Sequence, residues 1–332
     1  MADDARIEVT RGPFVESRHI VSAVIADAAG APMAVWGDPG QVILPRSSIK
    51  MIQALPLAES GAPGLDGARL ALACASHQGA PMHTGAVRGW LSDLGLGEAA
   101  LLCGPQPPGD RETRHALIRA GEAPGPVHNN CSGKHTGFLA LARHLGAPAE
   151  NYIAPDHPVQ RAVRAAFEEV TGEESPGHAT DGCSAPNFAT SLAGLARAMA
   201  FFAVARAEAE SARARAAARL VAAMAAHPEI VAGPGRACTD LIRAARGRAV
   251  VKTGAEGVYV AILPERRLGV ALKVADGAAR AAECAITALL VRLGALDPDD
   301  SVVARRLTAP IINRAGRHTG EVRWAADNAG MP

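Results

Sequence analysis

The chain has 332 residues, enough to bury a full core as one large domain or as two lobes. Its 34 basic and 33 acidic residues leave a formal net charge of +1, which argues against a nucleic-acid footprint or a funnel for acidic substrates. Met1 to Arg6 carries two aspartates and no apolar signal core, and no stretch reaches the ~20 apolar residues of a membrane span. The expectation is a cytoplasmic protein without membrane contact, its six cysteines reduced rather than paired into a disulfide framework.

In chain order, His19 to Ala28 alternates in polarity, Ala29 to Pro32 turns, and Met33 to Trp36 returns, which predicts an antiparallel hairpin. A helix is predicted to begin at Ser47-Ser48-Ile49-Lys50. Leu70 to Ala73 reads as a buried strand or turn from which Ser76 emerges. Helical periodicity marks Lys134 to Leu145 (closed by Gly146), Pro158 to Thr171, Pro186 to Ala205 and Ala207 to Ala226. The arginines between Ser211 and Ala223 read as a solvated helix face. Ala249 to Gly254, Val258 to Leu263 and Leu268 to Val274 predict three strands, with Pro264 to Arg267 as a turn. Ala278 to Leu293 predicts a helix ended by Gly294.

Strands therefore flank a long helical stretch. This predicts an α+β, two-lobed unit spanning 1–332: a sheet lobe from about 1–46 and 248–332, and a helical lobe from about 47–247. The layout matches, by analogy, serine β-lactamases and glutaminases, in which S-x-x-K opens a helix at the lobe junction. Sites commonly lie in the cleft between such lobes.

Five blocks could carry chemistry. Ser47 and Lys50 share a helix face, where a near-neutral amine can take the serine proton. Cys74-Ala75-Ser76-His77-Gln78-Gly79 offers a second hydroxyl, although Ser-His is also an ordinary loop pair. Asn129 to Gly137 crowds Cys131, Lys134 and His135 at a helix start, where backbone N–H groups lower a thiol pKa. Asp181-Gly182-Cys183 could hold an amine and pair Cys183 with Cys131 around a metal, yet no C-x-x-C or H-x-x-x-H spacing signals zinc. Val251-Lys252-Thr253-Gly254 places K-T-G on a strand, one wall of the cleft in penicillin-recognising serine enzymes. Cys238 could line that cleft or be a buried helical thiol. Cys103 and Cys284 read as packing residues, and His83 and His128 as structural.

Together PRSSIK, ASHQG, HNNCSGKHTG, DGCSAPN and KTGAEG resemble the rhizobial-type (class 3) L-asparaginases of the asparaginase II family, collinearly from about Arg11 to Arg323. The resemblance implies a homodimer of serine β-lactamase/glutaminase-like fold that converts L-asparagine to L-aspartate and ammonia. It places two serine–lysine tandems on Ser47 with Lys50 and Ser76 with Lys252. It places Zn2+, one per subunit, on Cys131, Lys134 and Cys183 with a water, and further substrate-site residues on His135, Asp181 and Cys238. Two departures are the extra hydroxyl of Ser48 and Ala80, where the family often has glutamate.

On this reading Ser47 attacks the side-chain amide with Lys50 as base, while Ser76 and Lys252 move the proton to departing ammonia; exchanged serine roles stay open. A lysine–dithiolate zinc is a weak Lewis acid, so its expected part is positioning. Whether His135 replaces Lys134 at the metal is open. The alternatives are a glutaminase or other β-lactamase-like serine hydrolase, a non-catalytic zinc- or amino-acid-binding protein on the same scaffold, and a zinc-hydroxide amidohydrolase.

Overall fold

The structure, a computed structural model, describes residues 4–326. The ends of the expected sheet lobe, 1–3 and 327–332, lie outside the described residues. Eight strands form one antiparallel sheet: β1 (Ala5–Arg11), β2 (Phe14–Ala26), β3 (Pro32–Trp36), β4 (Val250–Thr253), β5 (Val258–Leu263), β6 (Leu268–Val274), β7 (Thr308–Ile312) and β8 (His318–Trp324). Their order is β7-β8-β1-β2-β6-β5-β4, and β3 pairs with the later half of β2. The hairpin read at His19 to Trp36 is thus part of a longer one. The sheet is mixed with helices in an α+β fold, its strands drawn from both ends of the chain.

β5 is buried at all six positions because helices cover both faces of the sheet centre. Leu192–Val204 crosses β2, β5 and β6 on one face, and Ala279–Arg292 packs on β5, β6 and β8. A Cβ at Gly269 would stand 2.1 Å from the Ala200 backbone nitrogen, so glycine permits that helix to lie directly on β6.

Two predicted helices begin later than their apolar text suggests. Pro186–Phe188 is extended and pairs with His178–Thr180, and Thr190–Ser191 pairs with Val42–Ile43. Only then does Ser191 cap the helix by accepting from Gly194 N–H. Likewise the helix expected from Ala207 starts at Ala212, capped by Ser211. Its arginines are not simply solvated: Arg213 grips both oxygens of Glu59 at 2.6 and 3.1 Å. The run before Ser76, expected as a strand or turn, is the helix Gly67–Ala73, N-capped by Asp66.

The helix Ser132–His144 is buried at every position from Ser132 to Ala142, and so forms the axis of the inserted helices. No helix among the described residues is long and apolar enough to cross a membrane.

Candidate active site

β4 carries Lys252 into the interior, where the side chain is 1% exposed. Its Nζ donates to Ser76 Oγ at 2.7 Å and to the Thr253 carbonyl at 2.9 Å. Burial pulls this amine from 10.5 down to about 7, and the nearby charge of Lys50 adds to the effect. A lysine so tuned exchanges a proton with its serine near neutral pH.

Ser76 is fixed on both sides. Its N–H donates to the Val231 carbonyl at 2.8 Å, and the next N–H, of His77, donates to Asn130 O at 3.2 Å. The His77 ring takes the Gly79 N–H on Nδ1, which leaves the proton on Nε2 to reach Ser132 Oγ at 3.0 Å. His83 stacks parallel to it at 4.8 Å. Burial holds both imidazoles below their ordinary range, His83 at about 4, so the pair is neutral.

Ser47 sits in the 3-10 turn Arg46–Ile49 that runs into the helix Lys50–Gln53. Lys50 Nζ donates to the carbonyls of Ala75 at 2.6 Å and Asn130 at 3.3 Å. Among the described residues no hydrogen bond joins it to Ser47. Lys50 thereby ties its own helix to the Ser76 loop and the Asn130 loop. Beside Ser47 the close of β4 comes in tightly: a Cβ at Gly254 would lie 2.6 Å from the Pro45 carbonyl oxygen. The N–H groups of Ser47 and Ala255 have no acceptor among the described residues.

Two chambers meet at Ser47, Asn130 and Ala255. One, of about 230 Å³, is also lined by Ser76, Arg236, Cys238, Thr253 and Glu283. The other, of about 310 Å³, is also lined by Arg46, Gln106, Cys131, Asp181 and Cys183. The structure therefore gathers Ser47, Ser76 and Cys238 around one space, with Lys252 bonded to Ser76, and Cys131, Asp181 and Cys183 around its neighbour.

The L-asparaginase II family profile matches residues 7–324. This chain belongs to that family. No curated protein matches the chain. Among solved structures it is similar to Mglu in its glutamate form, at 13% identity over 85% of this chain and 62% of that one, with a TM-score of 0.46. The chain thus spans about three-fifths of the Mglu chain. A β-lactamase from Mycobacterium bovis shares 14% identity over 83% of this chain and 95% of its own, with a TM-score of 0.39. A class C β-lactamase mutant shares 14% identity over 78% and 88%, with a TM-score of 0.38. These are distant likenesses and say nothing of substrate.

The second chamber is floored by sulfur and nitrogen. Lys134 Nζ donates to Cys183 Sγ at 3.1 Å. A hydrogen bond from Cys183 holds Cys131 well below its ordinary value, and the same contact raises Cys183. Burial lowers Lys134, but the Cys183 and Cys131 sulfurs outweigh it and lift the amine above its usual range. Tyr152 OH accepts from Leu102 N–H at 2.9 Å and lies 2.7 Å from His135 Nδ1, so its own proton goes to that nitrogen. His135 then carries its proton on Nε2, which faces the Cys183 sulfur but meets no partner in bonding geometry. Burial lowers this histidine to about 4. Asp181 would be raised by burial, but Lys134 and Arg46 hold it below its ordinary value.

Among the described residues no three His, Cys, Asp or Glu side chains are arranged as a metal site. The donor set of Cys131, Cys183 and the Lys134 amine nonetheless fits a soft four-coordinate ion such as Zn2+ once their protons leave.

The charged lining residues Arg46, Arg236 and Glu283 escaped the sequence reading. Arg46 adjoins Ser47 inside a block already singled out, so proximity was a usable signal; Glu283 lies on a helix with no local mark.

Proposed function

We propose that this protein is an L-asparaginase, releasing ammonia from L-asparagine through a serine–lysine relay and binding one Zn2+ per subunit. The observation that carries it is the 2.7 Å bond between Lys252 Nζ and Ser76 Oγ beside Ser47. Ser47, at the junction of the chambers, attacks the side-chain amide carbon. Its proton passes to Ser76 Oγ as that hydroxyl gives its own to neutral Lys252. The N–H groups of Ser47 and Ala255 are placed to stabilise the resulting oxyanion. Protonated Lys252 returns the proton through Ser76 to departing ammonia, and the same path activates the water that cleaves the acyl-enzyme. Lys50 supplies charge and holds the Ser76 loop, since its donors are engaged by two carbonyls.

Cys131, Lys134 and Cys183 are the residues that would hold zinc. The ion, largely neutralised by the two thiolates, would supply a fixed, weakly Lewis-acidic point that positions the substrate's α-substituents. A cytoplasmic homodimer completes the proposal, and light scattering on the purified protein checks the dimer.

A second reading has Ser76 itself attack, because it alone of the two serines touches a lysine. Intact-mass analysis during asparagine turnover, followed by peptide mapping, decides between them. A β-aspartyl adduct on the Ser47 peptide supports the relay; an adduct on the Ser76 peptide reverses the roles. Equal ammonia release from asparagine and glutamine would remove the substrate assignment, and none from either would remove the enzymatic reading.

A further inference from the structure

Two buried imidazoles take no part in the relay. His77 and His83 are 1% and 0% exposed, and they line neither chamber. Both nitrogens of His77 are nonetheless engaged. Nδ1 accepts the Gly79 N–H at 3.2 Å, and Nε2–H donates to Ser132 Oγ at 3.0 Å. The Ser132 hydroxyl gives its own proton to the Val127 carbonyl at 2.9 Å, so it can only accept from the ring. With both nitrogens taken and no face on a chamber, His77 has no route to a substrate proton.

What the ring holds is the loop that carries Ser76. Ser132 is fully buried and opens the helix Ser132–His144. At the next residue, a Cβ on Gly133 would stand 2.5 Å from the Leu72 carbonyl oxygen. That helix head is thus pressed on the helix Gly67–Ala73, which leads into Ser76, and is a rigid point of attachment. On the other side the Ser76 N–H reaches the Val231 carbonyl at 2.8 Å. His83 Nε2–H donates at 2.9 Å to the carbonyl of Glu229, two residues earlier, while its ring stacks on His77 at an interplanar angle of 10°. The stacked pair therefore bridges both anchors of the serine.

We propose that His77 is a positioning residue: backed by His83, its imidazole tethers the Ser76 loop to Ser132 and so fixes Ser76 Oγ against Lys252 Nζ. The inference rests on the serine–lysine reading and deepens it, because it names what keeps the 2.7 Å contact in register.

The test uses the full chain with His77→Leu, His77→Gln, Ser132→Ala and the His77→Leu/Ser132→Ala double variant. His77→Leu and Ser132→Ala should each lower kcat for asparagine by at least ~10-fold with KM within about threefold, as for a misplaced reacting group. The double variant should lie within about threefold of His77→Leu alone, since both changes cut one tether. His77→Gln, whose side-chain N–H can stand in for Nε2–H, should recover most of the loss. Thermal melts report folding, and Ser132→Ala keeps the test open if His77→Leu does not fold. Losses that multiply in the double variant overturn the proposal, as does a lower melting temperature with unchanged kcat. Amide hydrogen exchange at Ser76, His77 and Gly79, read by NMR, needs no turnover, and Ser132→Ala should speed it at least ~10-fold. Faster exchange there in a protein that releases no ammonia keeps the tether and removes the enzymatic reading. Unchanged exchange in an active enzyme does the reverse.

Discussion

The sulfur of Cys238 accepts the backbone N–H of Thr253 at 3.3 Å, one residue beyond the lysine that touches Ser76. Tyr259 OH lies 3.2 Å from the same sulfur. Cys238 therefore anchors the end of β4 from the helix Ala237–Ala245. Cys238→Ala leaves the buried Tyr259 hydroxyl and the half-buried Thr253 N–H without that partner and should cost about 1–3 kcal/mol of stability. We expect kcat to fall as well, since Lys252 loses its reference point; Cys238→Ser should recover more of both. Urea unfolding beside steady-state kinetics checks this, and an Ala variant of unchanged kcat would contradict the anchoring role.

Lys252 sets a pH dependence with a definite sign. Its amine acts in the neutral form, so kcat should rise as pH increases through about 7. Its folded pKa lies below the unfolded value, so the unfolded chain binds more protons between about 7 and 10.5. The stability difference between wild type and Lys252→Met should therefore shift in favour of wild type as pH rises across that window. A flat difference would show that the amine is not depressed.

Removing zinc should act on binding more than on turnover. Chelation is expected to raise KM far more than it lowers kcat, because the ion is assigned no part in proton transfer. Metal analysis should find one zinc per chain in wild type and a deficit in Cys183→Ala. Complete loss of kcat at saturating asparagine would contradict this role.

Gly254→Ala tests the close approach of β4 to the Ser47 turn. The added methyl would meet backbone, the Pro45 carbonyl oxygen at 2.6 Å and the Ser48 nitrogen at 3.3 Å, neither of which swings away cheaply. Activity should fall by at least ~10-fold, as displacements near 1 Å at reacting groups do, while the protein still folds. Full activity would mean that the spacing is slack.

Legibility in the sequence followed the range of the forces involved. β4, β5 and β6 could be read because alternating or continuous apolar text records burial directly. Pro186 to Ser191 could not: its local text is helical, and only pairing with His178–Thr180 and Val42–Ile43 holds it extended. Ser76 and Lys252 were picked out by motif, yet their contact, as well as the diversion of Lys50 to the carbonyls of Ala75 and Asn130, depends on tertiary packing that no spacing rule carries. Arg46 was legible only through its place beside Ser47, whereas Glu283 lies on a helix and reaches the chamber by tertiary packing alone.

The Ser76–Lys252 bond joins residues 176 positions apart. Closing so large a loop is slow and comes late in folding, whereas the helices between can form early from local contacts. Newly made or refolding chains should therefore show their full helical signal before they turn over any amide, and the lag reports the moment at which β4 docks against the Ser76 loop.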